Sequence, residues 1–227
     1  MLTASRVDAD FEDRVRPRAG RSARAGDMRG SILALGGFHT RRFANRAYLD
    51  VVAQAERLDS RYQDAYGVRA RTGGWGLGLS LEVGRPFALG ASGWLIEPQA
   101  QLSWHRVDLD SFEDGISRID PEGNDLLRGR VGVRLVSDAG PAPSREPRLW
   151  LGADLLHEIR ANDAALRVDD HLIEEELTAS WMEVGAGAEW PIAPQATLYG
   201  HLKYQRQAFD DEPLSGLSAA VGLRTVW

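Results

Sequence analysis

The chain has 227 residues, 24 of them glycine and none cysteine, with a formal net charge of −6. The length fits one large all-β domain. The lack of cysteine removes disulfides and thiolate metal sites, and an acidic balance with no basic run beyond the N-terminus argues against nucleic acid. Mean hydropathy is −0.32 and no run reaches the roughly 18–20 apolar residues of a membrane-spanning helix. A membrane β-barrel stays open, because its strands are only half apolar.

Residues 1–28 are charged and show no apolar period, with Arg6, Arg14, Arg16, Arg18, Arg21 and Arg24 set among acids. The composition predicts a linker or disordered lead, with a short helix or an anionic-lipid contact as alternatives. No apolar stretch here has the roughly 7–15 residues of a signal-peptide core.

Nine strands are predicted over 29–227, each with period-two alternation. They are Arg29 to Phe38, Tyr48 to Arg57, Trp75 to Val83, Gly93 to Arg106, Leu127 to Leu135, Leu149 to His157, Met182 to Trp190, Leu198 to Tyr204 and Leu217 to Trp227. The clearest is GWLIEPQAQLSWHR at 93–106. Trp94, Ile96, Pro98, Ala100, Leu102 and Trp104 form one face; Glu97, Gln99, Gln101, Ser103 and His105 form the other. Ten residues rise about 33 Å along a strand. Tilted, that matches an apolar band about 25 Å tall with aromatic girdles at both edges. Trp94, Trp104 and Trp190 are read as girdle residues.

The polar faces carry Glu82, Glu97, Arg128, Arg130, Arg134 and Glu183. Dry burial of these charges would be very costly, so they must face bulk water or a wet lumen. The lumen reading makes them a lining charge network. Predicted connections alternate short and long: short at 39–47, 86–92 and 191–197, long at 58–74, 107–126 and 159–181, with a Pro-rich link of intermediate length at 136–148. Short periplasmic turns and long external loops are the habit of outer-membrane barrels, and this parity puts the C-terminus on the periplasmic side.

Several stretches, in order, resemble the C-terminal translocator barrel of autotransporter (type V secretion) proteins. They are GWGLGLSLEVGRPF at 74–87, LIEPQAQLSWHRVDLDSF at 95–112, DLLRGRVGVRL at 125–135, LGADLLHE at 151–158, WMEVGAGAEW at 181–190, LYGHLKYQ at 198–205 and GLRTVW at 222–227. The resemblance implies an all-β, transmembrane, antiparallel up-and-down β-barrel of twelve strands in the outer membrane. About nine are recognisable here, so the expectation is the C-terminal portion of a barrel, its N-terminal strands missing, from a truncated product. It further implies a non-enzymatic role without cofactor: assisting secretion of an N-terminal passenger and anchoring it to the surface. The implied partners are the lipid bilayer, the barrel-assembly machinery and the passenger. Trp227, ending the last alternating strand, resembles an assembly signal.

Catalytic alternatives are thin. The five histidines show no metal-ligand spacing, and no nucleophile elbow or phosphate loop is present. Asp169, Asp170 and His171 would be the water-activating group of an outer-membrane hydrolase. Glu82, Glu97 and Asp154 would be the luminal acids of a self-cleaving barrel. A soluble barrel or sandwich binding a small ligand is the remaining alternative.

Overall fold

The computed structural model describes residues 1–12, 24–115, 117–121, 123–137, 146–161, 164–169, 171–175, 179–209 and 214–225. All regular structure among them is strand. The elements are β1 (Leu2–Glu12), β2 (Arg24–Arg42), β3 (Tyr48–Asp64), β4 (Arg69–Gly84), β5 (Phe87–Ala88), β6 (Trp94–Leu109), β7 (Phe112–Glu113) and β8 (Arg118–Pro121). They continue with β9 (Asn124–Ser137), β10 (Arg148–Ala161), β11 (Ala164–Val168), β12 (His171–Glu175), β13 (Ser180–Ala193), β14 (Ala196–Ala208) and β15 (Ser215–Thr225). No helix among the described residues is long and apolar enough to cross a membrane.

Ten strands build one curled antiparallel sheet in the order β1-β2-β3-β4-β6-β9-β10-β13-β14-β15, and β5 adds to β6. Each strand follows its sequence neighbour, so the topology is up-and-down. A β-ladder satisfies backbone groups between strands, which is what lets strands cross hydrocarbon. All nine predicted strands are present, as β2, β3, β4, β6, β9, β10, β13, β14 and β15.

Burial is inverted relative to a water-soluble protein. Among the described residues no large side chain is fully buried, while Leu79, Val184 and Leu202 are each at least half exposed on the convex face. Polar side chains are among the most enclosed: Thr72, Gln99, Glu158 and Glu183, beside Ala34, Leu156 and Ala208. A soluble domain places these classes the other way round. The convex wall therefore suits a hydrocarbon surround and the concave wall a wet lumen.

Two expectations need correction. Residues 2–12, expected as a linker or disordered lead, run as a tenth strand, pairing from Leu2↔Leu35 to Glu12↔Arg24. Leu2 and Ala4 share the convex side with Leu33 and Leu35, but Arg6, Asp8 and Asp10 continue that side beyond the apolar band. Charge on a strand that has left the band erases the period, although the ladder continues. For the same reason β2 begins at Arg24, not Arg29. The rest of the lead, 13–23, lies outside the described residues.

The long connections are also mostly strand. The expected loop 58–74 shrinks to a turn at 65–68, with Asp64 Oδ1 accepting from the Tyr66 and Val68 N–H groups at 2.8 Å each. The 107–126 and 159–181 regions supply β7, β8, β11 and β12, which pair into a separate four-stranded sheet, β12-β11-β8-β7. Stacking of Tyr62 on Phe112, centroids 6.0 Å apart, ties this sheet to β3. At the other rim, β2 and β3 are joined at 43–47 and β13 and β14 by a two-residue turn at 194–195.

Candidate functional site on the concave face

Alternation turns every second residue of the long strands inward, and the pairing register sets which inward residues meet. Tyr48 of β3, Glu82 of β4, Glu97, Gln99 and Gln101 of β6, Arg130 of β9 and Asp154 of β10 converge on one cluster. Arg130 is its centre. Its Nη2 donates to Glu82 Oε2 at 2.6 Å, its Nη1 to Asp154 Oδ1 at 2.6 Å and its Nε to Gln101 Oε1 at 2.8 Å. Two carboxylates from different strands thus neutralise one guanidinium, whose side chain is only 12% exposed. Gly132 of β9 faces Asp154 in the ladder, and a Cβ there would collide with the Asp154 carboxylate. The glycine lets that acid cross to Arg130.

Tyr48 extends the cluster toward the short-turn rim. Its hydroxyl donates to Glu82 Oε1 at 2.8 Å and accepts from Gln99 Nε2 at 2.9 Å; Gln99 Nε2 also donates to Glu97 Oε1 at 2.6 Å. Glu97 and Arg134 are register partners across β6 and β9. Arg134 also lies over the Trp150 ring, 4.8 Å from its centroid. An open cavity of about 900 Å³ occupies this end of the concavity, lined by Arg42, Tyr48, Glu82, Glu97, Arg134 and Arg224 among others.

Other inward charges form separate pairs. Arg128 Nη2 donates to Glu158 Oε1 at 2.7 Å, and Glu158 Oε2 accepts from the Ala179 N–H at 3.1 Å. Lys203 Nζ donates to Glu183 Oε1 at 2.7 Å. His105 Nε2 lies 2.9 Å from Glu56 Oε1. Glu183 is therefore inward but is not joined to the Arg130 cluster.

Aromatic side chains fill the wall where the facing residue is glycine. Trp150 faces Gly187, Tyr48 faces Gly84 and Tyr199 faces Gly222, each as a direct register pair. A Cβ at Gly187 would lie 2.5 Å from Trp150 Nε1, and one at Gly84 would lie 2.6 Å from the Tyr48 ring. These glycines are the sockets into which neighbouring rings lie flat.

Trp94, Trp104 and Trp190 all stand on the convex side, near opposite edges of the apolar band, with Trp190 more than half exposed. Trp75, Phe43 and Phe87 join them there and were not singled out from sequence. Trp227 lies outside the described residues. In the surface sheet, Asp169 Oδ1 accepts from the Arg118 N–H at 2.8 Å, a tie between β8 and the β11–β12 turn. Asp170 and the His171 side chain lie outside the description. No group of three or more metal-ligating side chains occurs among the described residues.

Sequence reasoning overlooked Tyr48, Gln99, Gln101 and Lys203 as members of the inward network. Their inward parity was readable; their convergence needed the register.

Residues 1–203 match the family model described as autotransporter beta-domain. The chain is 30% identical over 184 residues to the pertactin autotransporter of Bordetella parapertussis, covering 76% of this chain and 19% of that protein. It is 28% identical over 191 residues to the adhesin BmaC autotransporter of Brucella suis, covering 79% of this chain and 6% of that protein. The chain thus spans a fifth or less of these relatives. Among solved structures, it resembles the beta domain of the Bordetella autotransporter BrkA, with TM-score 0.67, 20% identity, and coverage of 100% of this chain and 90% of that one. The translocator domain of NalP from Neisseria meningitidis aligns with TM-score 0.69, 12% identity, and coverage of 99% and 80%. At these identities the structural likeness concerns the fold.

Proposed function

The chain belongs to the autotransporter beta-domain family, and from that premise we infer that it assists the secretion of a passenger and anchors it at the cell surface. It is an outer-membrane translocator β-domain of type V secretion. The observation that carries the reading is the inversion of burial: Leu, Val and Trp outward on strand after strand, ion pairs inward. A wall of that kind is stable only between hydrocarbon and water.

The inward pairs have a structural role in this reading. Arg130, Glu82 and Asp154 lock β4, β9 and β10 in register, Glu97 and Arg134 face one another below them, and the Arg128–Glu158 and Glu183–Lys203 pairs extend the lining. None of these residues is given a catalytic task, and no cofactor is required. The barrel-assembly machinery is the partner that inserts the wall, reading the final strand and Trp227. Replacing Trp227 by Ala is expected to lower the membrane-inserted fraction; unchanged insertion would leave it only an interfacial role.

The direct test places the chain behind a signal peptide and an epitope-tagged reporter in a Gram-negative host. The expected result is a reporter that external protease removes from intact cells, with the chain in the outer-membrane fraction and heat-modifiable on gels. A soluble periplasmic chain, or a reporter that stays protected, would overturn the function.

A further inference from the structure

The convex wall ends differently at its two rims. At the short-turn rim, arginines lie over aromatic rings: Arg41 over Phe43 at 5.2 Å and Arg85 over Phe87 at 4.8 Å. At the other rim, just past Leu33, Trp75 and Leu77, the convex side of β2, β3 and β4 changes to a cluster of arginines. Arg29, Arg61, Arg69 and Arg71 line an open cavity of about 1200 Å³ between β2 and the β3–β4 hairpin.

Four acids lie nearby, Asp8, Asp27, Asp59 and Asp64, but they leave the guanidinium groups uncovered. Asp27 and Asp64 are the carboxylates of the cavity lining, and Asp64 is engaged by turn N–H groups. Asp59 is shared: it accepts from Arg71 and lies 3.7 Å from Arg61. Its carboxyl is held below the usual aspartate range by the Arg71 hydrogen bond, with further contributions from Arg61 and Arg57. Arg29 reaches Asp8 only at 3.8 Å. The guanidinium groups stay largely exposed, at 62–68% for Arg29, Arg61 and Arg71.

We propose that this cavity binds the phosphate groups of a bisphosphorylated glycolipid in the outward leaflet of the membrane, with the lipid's acyl chains lying along Leu33, Leu77 and Leu79 below. Guanidinium forks suit phosphate oxygens geometrically as well as electrostatically. Four of them around one large cavity match a headgroup with two separated phosphates better than a phospholipid carrying one. A soluble anion would leave unexplained why the cluster sits directly on the edge of the apolar wall. That continuity is the footprint of an amphiphile, headgroup on the arginines and tails on the leucines. The inference rests on the reading above that the hairpin rim faces outward.

The test purifies the chain in mild detergent from outer membranes and quantifies bound lipid by mass spectrometry. Wild type is expected to retain the bisphosphorylated glycolipid in preference to phosphatidylglycerol, and to keep it after an EDTA wash. The triple variant Arg61→Gln/Arg69→Gln/Arg71→Gln is expected to lose it, by about fivefold per arginine removed. Arg41→Gln/Arg85→Gln, at the opposite rim, is expected to retain the wild-type amount. Equal retention by the triple variant, equal loss in the opposite-rim variant, or replacement by phosphatidylglycerol would overturn the proposal. Stripping by EDTA would overturn it too, because the lipid would then be held through divalent cations. Should the triple variant miss the membrane, Arg69→Gln alone decides: it breaks none of the ion pairs above, and unaltered retention refutes the site. A wild-type chain absent from the outer membrane would refute the topology, a failure distinct from losing the lipid.

Discussion

The two faces of the same strands follow different rules. On the convex face, Leu79, Leu81, Val184 and Leu202 need only be apolar, since their surround is fluid and any hydrocarbon shape fits. On the concave face, Arg130, Glu82, Asp154 and Gln101 work only as a set, because each satisfies groups on another strand. One backbone thus carries a permissive wall and a specific one. The difference teaches that identity of strand pairing is held from inside, while depth in the membrane is set from outside.

The largest effect is expected at the centre of the specific wall. Arg130→Ala strips two carboxylates of their shared partner, and breaking an enclosed ion pair costs about 3–5 kcal/mol. Urea unfolding of the folded β-domain in lipid vesicles should report it, with Glu82→Gln/Asp154→Asn restoring part of the loss. A change below about 1 kcal/mol would mean that water in the lumen already solvates these acids.

Next is a direct contrast of the two walls on neighbouring strands. Ala186 points outward near mid-band; Gln205 points inward beside Glu183, its register partner. Ala186→Arg should cost about 2–4 kcal/mol, and Gln205→Arg should be nearly neutral in the same assay. Equal costs would erase the distinction between the faces.

A smaller effect tests the sockets. Gly187→Ala puts a methyl against the Trp150 ring and the Gly200 carbonyl, an overpacking worth about 1–3 kcal/mol. Gly37→Ala, with open space around it, should not show this penalty. In a Trp150→Ala background the Gly187 penalty should shrink; an undiminished penalty would deny that the ring is what the glycine accommodates.

The smallest effect lies outside the apolar band. The folded pKa values of Asp59 and Asp120 are depressed: Asp59 chiefly by its Arg71 hydrogen bond, Asp120 by hydrogen bonds from Ser111 and then Arg118. A depressed folded value contributes stability above the unfolded aspartate range, near pH 4, and loses it as pH falls through the folded value. Stability should therefore decline slightly below about pH 4, with Asp59→Asn flattening part of that slope. An unchanged slope in Asp59→Asn would show that the exposed pair is screened to nothing.

The sequence by itself determined whatever the band imposes. Alternation between hydrocarbon and water is a local constraint repeated on every strand, so nine strands, their inward charges and their aromatic edges were readable from Trp94 to Trp104 and its counterparts. Tertiary structure alone decided what lies beyond the band or across the sheet. Leu2–Glu12 became a strand because β2 offered it a ladder, although Arg6, Asp8 and Asp10 had broken its period. The expected loops became strand extensions and a surface sheet because backbone pairing continues where the apolar constraint stops. The joining of Arg130 to Glu82 and Asp154, and of Tyr48 to Gln99, is a matter of register between residues 24 to 51 positions apart in sequence. Period two says which way a side chain points, and only the paired sheet says what it meets.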